Sequence, residues 1–493
     1  MSESSNNNIN ASSPNNNNAS DKSNEAGKRK QQSKFKGGNT IDVEPIAGTR
    51  DFLPNEMRER EWLFSKFHET SKLFGFEPYD APILEMEDLY KRKGGEEIVQ
   101  QMYNFKEKSD LNVALRPEMT PSLARLILKN RKILTLPLKW YSIPQCWRYE
   151  TTTRGRKREH YQWNCDIWGV PEVTGECELF SAIIHLFKLL GLTSEKVTLR
   201  FSSRKIIEDL LKVEFGLQLS EDKFKETCII VDKMDKMEAE DVKKILVEKV
   251  PEISEEVALK LIKLMNFKKL NPNEDYSGSK ALTAFKEMLT NEEFKNGPVF
   301  KEIEEIFTLI GKNGYDIEDW IEFDPSIVRG LSYYTGVVFE AFATIEGLSR
   351  AICGGGRYDK ILGTYGSKEQ IPACGFGFGD CVILEILREL KLIPSYISSQ
   401  KVDDFVIPFD TSFRPIAAKI VTYLRQKGRT ADIYLKNPKK VGASFEYADK
   451  IGATRAIFVA PSEWNDGEKV KVKMLREKED SATKEVTIKY TEL

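Results

Sequence analysis

Residues 146–168, CWRYETTTRGRKREHYQWNCDIW, are the stretch on which the reading of this chain turns. Arg148, Arg154, Arg156, Lys157 and Arg158 lie between two aromatic-flanked segments. Side chains alternate faces along an extended chain. In the first arm Arg148 and Glu150 then share a face, with Trp147 and Tyr149 opposite. In the second, His160, Gln162, Asn164 and Asp166 share one face and Tyr161, Trp163, Cys165 and Ile167 the other. Three readings fit: a grip on nucleic acid, an anion site for a small molecule, or a charged hairpin over 139–168 with one wet face. Alternation is the commonest strand pattern, so spacing alone favours the half-solvated hairpin.

Working outward, residues 55–75 place Met57, Leu63, Phe64, Phe67 and Phe74 at helical spacing. An extended piece follows, broken by Pro78 and Pro82. Residues 116–130 read as a helix opened by Thr120 and Pro121 as N-cap and first position. Glu118, just before it in LRPEMT, either favours the positive helix end or holds an ammonium group. Residues 176–191 form an amphipathic helix closed by Gly191, and a Lys/Glu-rich helical module runs from about 204 to 318. Strands return at 333–344, YYTGVVFEAFAT, where Tyr333 and Tyr334 are expected to point to opposite faces, one into the core and one offering a hydroxyl to a pocket. Arg329 precedes Gly330, which permits close ligand approach. The run CGGGRYD, 353–359, reads as a Gly-rich turn able to cradle an anion, though it matches neither GxGxxG nor a P-loop. A strand running into a helix covers 373–390. Beyond Gln400 strands and helices alternate in an α/β layout, slightly basic with 17 Lys and Arg against 14 Asp and Glu from Val402 on.

Composition sets limits. At ~100–200 residues per domain, a chain of 493 residues holds about two to four domains. No apolar run approaches the ~18 residues that would span a bilayer, so no membrane partner is expected. The net charge of −2 means that a polyanion must meet local basic patches. Seven scattered cysteines without a CxxC pair, and three histidines, argue against a zinc site and for a reducing compartment. Residues 1–40, rich in Asn and Ser and poor in large apolar side chains, read as a disordered tail. Glu3, Asp21, Glu25 and the scarcity of arginine there do not suit a mitochondrial presequence, and the Lys28–Lys30 run reads as solvated.

The order and combination of these pieces resemble the histidyl-tRNA synthetases, of the class II aminoacyl-tRNA synthetase group, over residues 41–493. GTRDFLP (48–54) resembles the family's opening signature, and FGFEPYDAPILE (74–85) resembles motif 1, with Pro82 as its proline. The stretch 146–168 resembles motif 2, and RGLSYYTGVVFE and CGGGRYD resemble two signatures peculiar to the histidine enzymes. The resemblance implies an α+β fold: a class II antiparallel-sheet catalytic domain over 41–400, carrying a helical insertion at roughly 204–318, then a C-terminal α/β anticodon-binding domain over 401–493. It implies a homodimer with motif 1 at the interface, and the apolar stripe of 55–75 is compatible with that. The implied activity is ATP-dependent ligation of L-histidine to tRNA(His) through a histidyl-adenylate, releasing AMP and diphosphate.

In that reaction a carboxylate attacks the α-phosphate of ATP. Both reactants are anions, so fixed cations must meet the charge that builds on phosphorus oxygens, and in-line placement must be enforced. Arginine suits this task, because its planar fork stays charged and binds phosphate bidentately. By resemblance, Arg148 contacts the α-phosphate and the substrate carboxylate. Arg329 takes the opposite side of the α-phosphate, where related enzymes rely on a metal ion. Glu150, Arg156, Arg158 and His160 belong to ATP, with Mg2+ bridging its outer phosphates and no dedicated protein metal site. Glu118, Met119, Thr120, Gln162, Asp166, Tyr333, Tyr334 and Tyr358, with both arginines, form the histidine site. Glu118 and Thr120 receive the ammonium group, Asp166 attracts it or orients the ring, and the tyrosines read the imidazole. A buried polar site tuned to a two-nitrogen ring rejects apolar competitors by ~10⁴–10⁵, so no editing domain is needed. The loop 151–157 is the candidate contact for the tRNA acceptor end, and the C-terminal domain for the anticodon.

Two departures stand out. GFGFGDCVI puts Cys381 and Val382 where motif 3 carries an acid and an arginine, and Asp380 cannot replace a cation. His160 stands where most relatives have a phenylalanine that stacks on adenine, a role a histidine ring can still fill. Such variants resemble organelle-type members, which sets a mitochondrial matrix address against the cytoplasmic one the tail favours. The rival function is an inactive synthetase-like sensor of histidine or uncharged tRNA. Retention of Arg148, Glu118, Gln162 and Arg329 favours the enzyme.

Overall fold

Residues 159–168 carry a polar edge and an aromatic edge on one strand, and the architecture follows from what each edge meets. The computed structural model describes residues 43–493 apart from 93–95, 235–236, 271, 332, 346–349, 398–401, 438–440 and 477–484, so the expected tail at 1–40 lies outside the described residues. Residues 43–51 make one turn, in which the Thr49 N–H donates to Ile46 O at 2.9 Å. Residues 52–493 form the unit described next.

Its main sheet runs β1 (Glu77–Pro78), β5 (Leu138–Ser142), β7 (Glu159–Trp168), β12 (Ala373–Gly379), β11 (Ala351–Arg357), β10 (Val337–Ala343), β8 (Val197–Ser203), β9 (Ile321–Phe323), with β6 (Gln145–Trp147) added against β7. The two outermost pairs are parallel and every inner pair is antiparallel. A three-stranded sheet joins β2 (Leu84–Met86), β4 (Asn112–Leu115) and β3 (Tyr103–Lys106). The C-terminal sheet is ordered β14 (Ala431–Ile433), β13 (Val402–Pro408), β15 (Ala453–Val459), β16 (Lys469–Met474), β17 (Glu485–Lys489), parallel on one side and antiparallel on the other. Helices α10 (Arg414–Gln426) and α11 (Val441–Lys450) pack on it.

Aromatic side chains fill one face of the main sheet. Trp163 of β7 stacks on Phe67 of α1 (Pro54–Leu73) at 5.4 Å and meets Phe376 of β12 at 5.0 Å. Phe180 of α3 (Thr174–Leu189) meets Phe339 of β10 edge-on at 4.9 Å. Each fully buried side chain of this size contributes ~1.5–3 kcal/mol. Leu63 and Phe67, in the stripe expected to suit a subunit interface, are fully buried inside their own chain. Gly191, at φ +80°, ends α3, and the Leu192 N–H reaches back to Phe187 O at 3.0 Å, a Schellman closure. Between β8 and β9 lie α4 (Glu221–Asp232), α5 (Ala239–Lys249), α6 (Glu255–Met265), α7 (Lys280–Glu287) and α8 (Pro298–Ile310), each with one buried apolar face.

Four local expectations change. Strand β6 ends at Trp147. The Arg148 N–H still donates to Arg158 O at 2.9 Å, but the Glu150 N–H turns back to Arg148 O at 2.9 Å, so Arg148 and Glu150 do not share a strand face. Helix α2 (Thr120–Asn130) begins at Thr120, with Met119 as its cap and no side-chain capping bond, so Thr120 is a first-turn residue. Tyr333 and Tyr334 precede β10 in an irregular loop, and both are buried instead of dividing between two faces. CGGGRYD is no turn: residues 353–357 are the body of β11, and glycine serves there for close approach.

Candidate active site

Strand register assembles the other face of the sheet. Asp166 pairs with Gly375 and Gly375 with Gly356, while Asn164 pairs with Gly377, Gly377 with Gly354 and Gly354 with Glu340. Cross-strand partners share a face, so Gln162, Asn164, Asp166 and Glu340 project from a floor whose middle is glycine. The polar face of β7 is therefore not the wet face of a hairpin; Asn164 and Asp166 are buried beneath other side chains. A β-carbon at Gly354 would collide with the Arg329 guanidinium, and one at Gly375 with the Asp166 carboxylate. At Gly356 it would come within 2.8 Å of the Tyr334 ring. The missing β-carbons are the space in which these side chains lie.

Arg329 adopts φ +60°, a left-handed conformation costing a non-glycine residue ~1–2 kcal/mol. That backbone delivers its side chain to the floor, where it pairs with Glu340 and lies 6.0 Å from the Tyr334 ring centre. Burial works against its charge, but Glu340, with Tyr334 and Asp232 behind it, outweighs burial and holds the guanidinium firmly protonated.

Beside it stands a buried acid–tyrosine cluster. Tyr333 donates its hydroxyl to Glu118 Oε2 at 2.8 Å and also bonds Thr120. Its ring lies 4.7 Å from Tyr334 and 5.9 Å, edge-on, from Tyr358. Tyr358 in turn donates to Asp166 and meets Trp168 edge-on at 5.8 Å. Burial first, and then the facing carboxylates, push the Tyr333 and Tyr358 hydroxyls well above their usual range, so they stay protonated donors. Met119 is almost wholly buried, with its sulfur 3.8 Å from the Arg116 guanidinium.

The basic stretch divides. Glu150, itself buried, gathers Arg156 onto its carboxylate, stands 4.0 Å from Arg148, and accepts a long bond of 3.4 Å from Arg158 at its backbone oxygen. Arg158 also covers the Tyr149 ring at 4.1 Å. Arg148 Nε donates to Pro117 O at 2.9 Å, which ties this cluster to the residue before Glu118. His160 faces Cys146 across β6–β7, and the Cys146 thiol lies 3.8 Å from Gln162 Oε1. Arg154 turns the other way, to Glu385 and Glu389 of α9 (Asp380–Glu389) at 3.1 and 2.7 Å. Val382, in the first turn of α9, lies beneath the loop; a β-carbon on Gly155 would come within 3.2 Å of it.

Several participants escaped sequence reading. Arg116 is buried, donating to Gln145 O at 2.9 Å and Ala81 O at 2.7 Å, and so joins the motif 1 segment to β6. Arg357 and Glu176 form a buried bidentate pair at 2.7 and 2.5 Å that anchors the end of β11 just before Tyr358. Glu340, inside β10, gives no sign in the sequence that its partner is Arg329. For the first two, an arginine inside a motif and a glutamate inside an apolar helix were the available signals.

Solved structures share this architecture. A histidyl-tRNA synthetase from Nostoc sp. superposes with a TM-score of 0.68 at 22% identity, covering 91% of this chain and 97% of that one. The apo Staphylococcus aureus enzyme gives 0.63 at 21%, with the same coverage. The fold is thus that of a class II aminoacyl-tRNA synthetase. The histidyl-tRNA synthetase family model matches residues 48–379, and an anticodon binding domain model matches 403–493. The chloroplastic/mitochondrial histidine–tRNA ligase of Arabidopsis thaliana is 46% identical over 435 residues, 88% of this chain and 84% of that protein. The histidine–tRNA ligase of Pyrococcus furiosus is 33% identical over 90% of this chain and 97% of its own length. The chain belongs to the histidyl-tRNA synthetase family.

Proposed function

We infer that this chain is a histidine–tRNA ligase, activating L-histidine with ATP and transferring it to tRNA(His). The observation that carries this reading is the buried Glu118–Tyr333–Tyr334–Tyr358–Asp166 cluster beside an arginine held charged by Glu340. Such a pocket offers carboxylates to an ammonium group and hydroxyls to a ring with two nitrogens, and leaves apolar amino acids facing unpaired groups.

In the proposed mechanism Glu118 and Thr120 hold the ammonium, while Gln162, Asp166 and the tyrosines hold the imidazole, with Met119 as apolar support. Arg148 orients the histidine carboxylate. Its oxygen attacks the α-phosphorus, and the bond to the bridging oxygen breaks as diphosphate leaves. Arg148 and Arg329 meet the charge developing on the α-phosphate oxygens. Glu150, Arg156, Arg158 and His160 take the rest of ATP. The terminal hydroxyl of tRNA then attacks the activated carbonyl, and AMP leaves. Val382 supplies no cation at the nucleotide end, so Arg156 and Arg158 are assigned that charge.

Among the described residues no three His, Cys, Asp or Glu side chains converge as a metal cage. Mg2+ would come with the outer phosphates of ATP, whose charge it would neutralise. Residues 41–400 are proposed as the catalytic domain with roughly 204–318 as its insertion, and 401–493 as the anticodon reader, which the model match over 403–493 supports.

A homodimer is supported by the three-stranded sheet, whose Leu84, Met86 and Phe105 form an exposed apolar face that begins at the end of the motif 1 segment. Phe105→Glu is expected to yield monomer in sedimentation velocity. For the compartment the reading is cytoplasmic, resting on the composition of residues 1–40. The name of the Arabidopsis relative makes an organelle the competing address, and imaging of the tagged full chain decides between them. No described helix is long and apolar enough to cross a membrane. The ligase is favoured over an inactive sensor, since the Arabidopsis and Pyrococcus relatives are both named as histidine–tRNA ligases and Arg148, Glu118, Gln162 and Arg329 are all present. Histidine-dependent exchange of pyrophosphate into ATP tests the assignment; folded protein that shows none with Mg2+ present would sink it.

A further inference from the structure

The loop carrying Arg329, Tyr333 and Tyr334 belongs to no strand, and its path is fixed by a residue more than a hundred positions away. Arg204 opens the short helix Arg204–Asp209 that follows β8, and it is buried. Its Nη1 donates to Leu331 O at 3.0 Å and to Tyr334 O at 3.1 Å. Its backbone N–H donates to Gly336 O at 3.0 Å. Three carbonyls of one loop thus end on one arginine. The same guanidinium lies 6.0 Å from the ring centre of Phe224 in α4. Asp232, the last residue of α4, places a carboxylate oxygen 3.0 Å from where a β-carbon on Gly330 would stand.

An irregular buried loop has no ladder to receive its carbonyls, so each must find another donor. A planar guanidinium can serve two carbonyls in fixed directions from one nitrogen. Lysine ends short of that point and carries no fork. The left-handed Arg329 persists only if its surroundings over-determine it, and Arg204 fixes carbonyls two and five residues further along the same loop.

We propose that Arg204 is a positioning residue for histidine activation. It touches no substrate; it holds Leu331, Tyr334 and Gly336 so that Arg329 and the two tyrosines keep their working geometry, and with Phe224 and Asp232 it braces the helices after β8 against the reaction centre. The proposal rests on the reading of that loop as the contact for histidine and the α-phosphate. Its test is pyrophosphate exchange by the full-length Arg204→Lys and Arg204→Ala variants, below the melting temperature of each. Misplacing reactive groups by about an ångström predicts a roughly tenfold to hundredfold fall in kcat and a raised KM for histidine. KM for ATP is expected to stay within about twofold. Added methylguanidinium should restore part of the rate to the alanine variant and none to the lysine variant. Wild-type histidine kinetics in either variant, or losses that merely track melting temperature without rescue, would overturn the proposal. If the alanine variant does not fold, the lysine variant decides alone by its kcat and histidine KM. Wild-type protein lacking histidine-dependent exchange sinks the underlying reading and the brace with it, whereas a normal wild type and an unchanged lysine variant sink the brace only.

Discussion

Tyr333 answers two demands with one hydroxyl. Glu118 is a buried carboxylate that needs a donor, and the proposed ammonium pocket needs Glu118 held still; the 2.8 Å bond does both. Phenylalanine at 333 keeps the ring contacts at 4.7 and 5.9 Å and removes only the hydroxyl, with its bonds to Glu118 and Thr120. Leaving a buried acceptor short of a partner costs ~1–3 kcal/mol, so Tyr333→Phe should raise KM for histidine by about tenfold. Steady-state exchange at varied histidine checks this, and an equal rise in KM for ATP would contradict the assignment. Residue identity was readable here because the tyrosine pair stands in a signature. Its geometry was not, because the loop is shaped by Arg204, 127 and 130 positions away from the carbonyls it holds.

At the scale of the element, β11 separates two uses of glycine that a sequence cannot distinguish. A β-carbon at Gly354 meets the far end of the Arg329 side chain, whereas one at Gly355 meets the Gly375 carbonyl and the Phe339 and Phe376 side chains. Gly354→Ala should therefore fold, with Arg329 displaced and kcat for exchange down about 10²-fold. Gly355→Ala forces backbone apart inside the sheet and should lose at least ~3 kcal/mol of stability, read by urea unfolding. Gly442, near the start of α11 with nothing within 4 Å of a built β-carbon, is the control: its alanine variant should be neutral or more stable by up to ~1 kcal/mol. Strand β7 was legible because a period of two survives in any environment. The neighbouring glycines looked like a turn because the partner that makes them a floor, β12, is fixed only by the fold. The helix start at Thr120 was misread by one residue because backbone geometry at Met119, not a capping side chain, begins it.

For the whole molecule, two sheets imply two stabilities. In the C-terminal sheet Asp404 is fully buried between Arg455, at 2.5 Å, and Arg429. Asp404→Asn leaves two arginines facing a neutral group and should cost ~3 kcal/mol. Calorimetry is expected to show the transition of this sheet lowered and that of the main sheet unmoved. The alternation of strands and helices beyond Gln400 was plain in the sequence, but this ion cluster was not, since β13, the connection from α10 to β14, and β15 deliver its members separately. The seven cysteines carry a consequence of a different kind. All are unbridged; six are buried and Cys381, at the start of α9, is half-buried. Burial pushes the Cys146 thiol up to about 11 and those of Cys165 and Cys374 well above their usual range, so they are poor nucleophiles while the fold holds. A maleimide dye should therefore mark the native protein at one position, and the slow arrival of six more labels would time its unfolding without any engineered reporter.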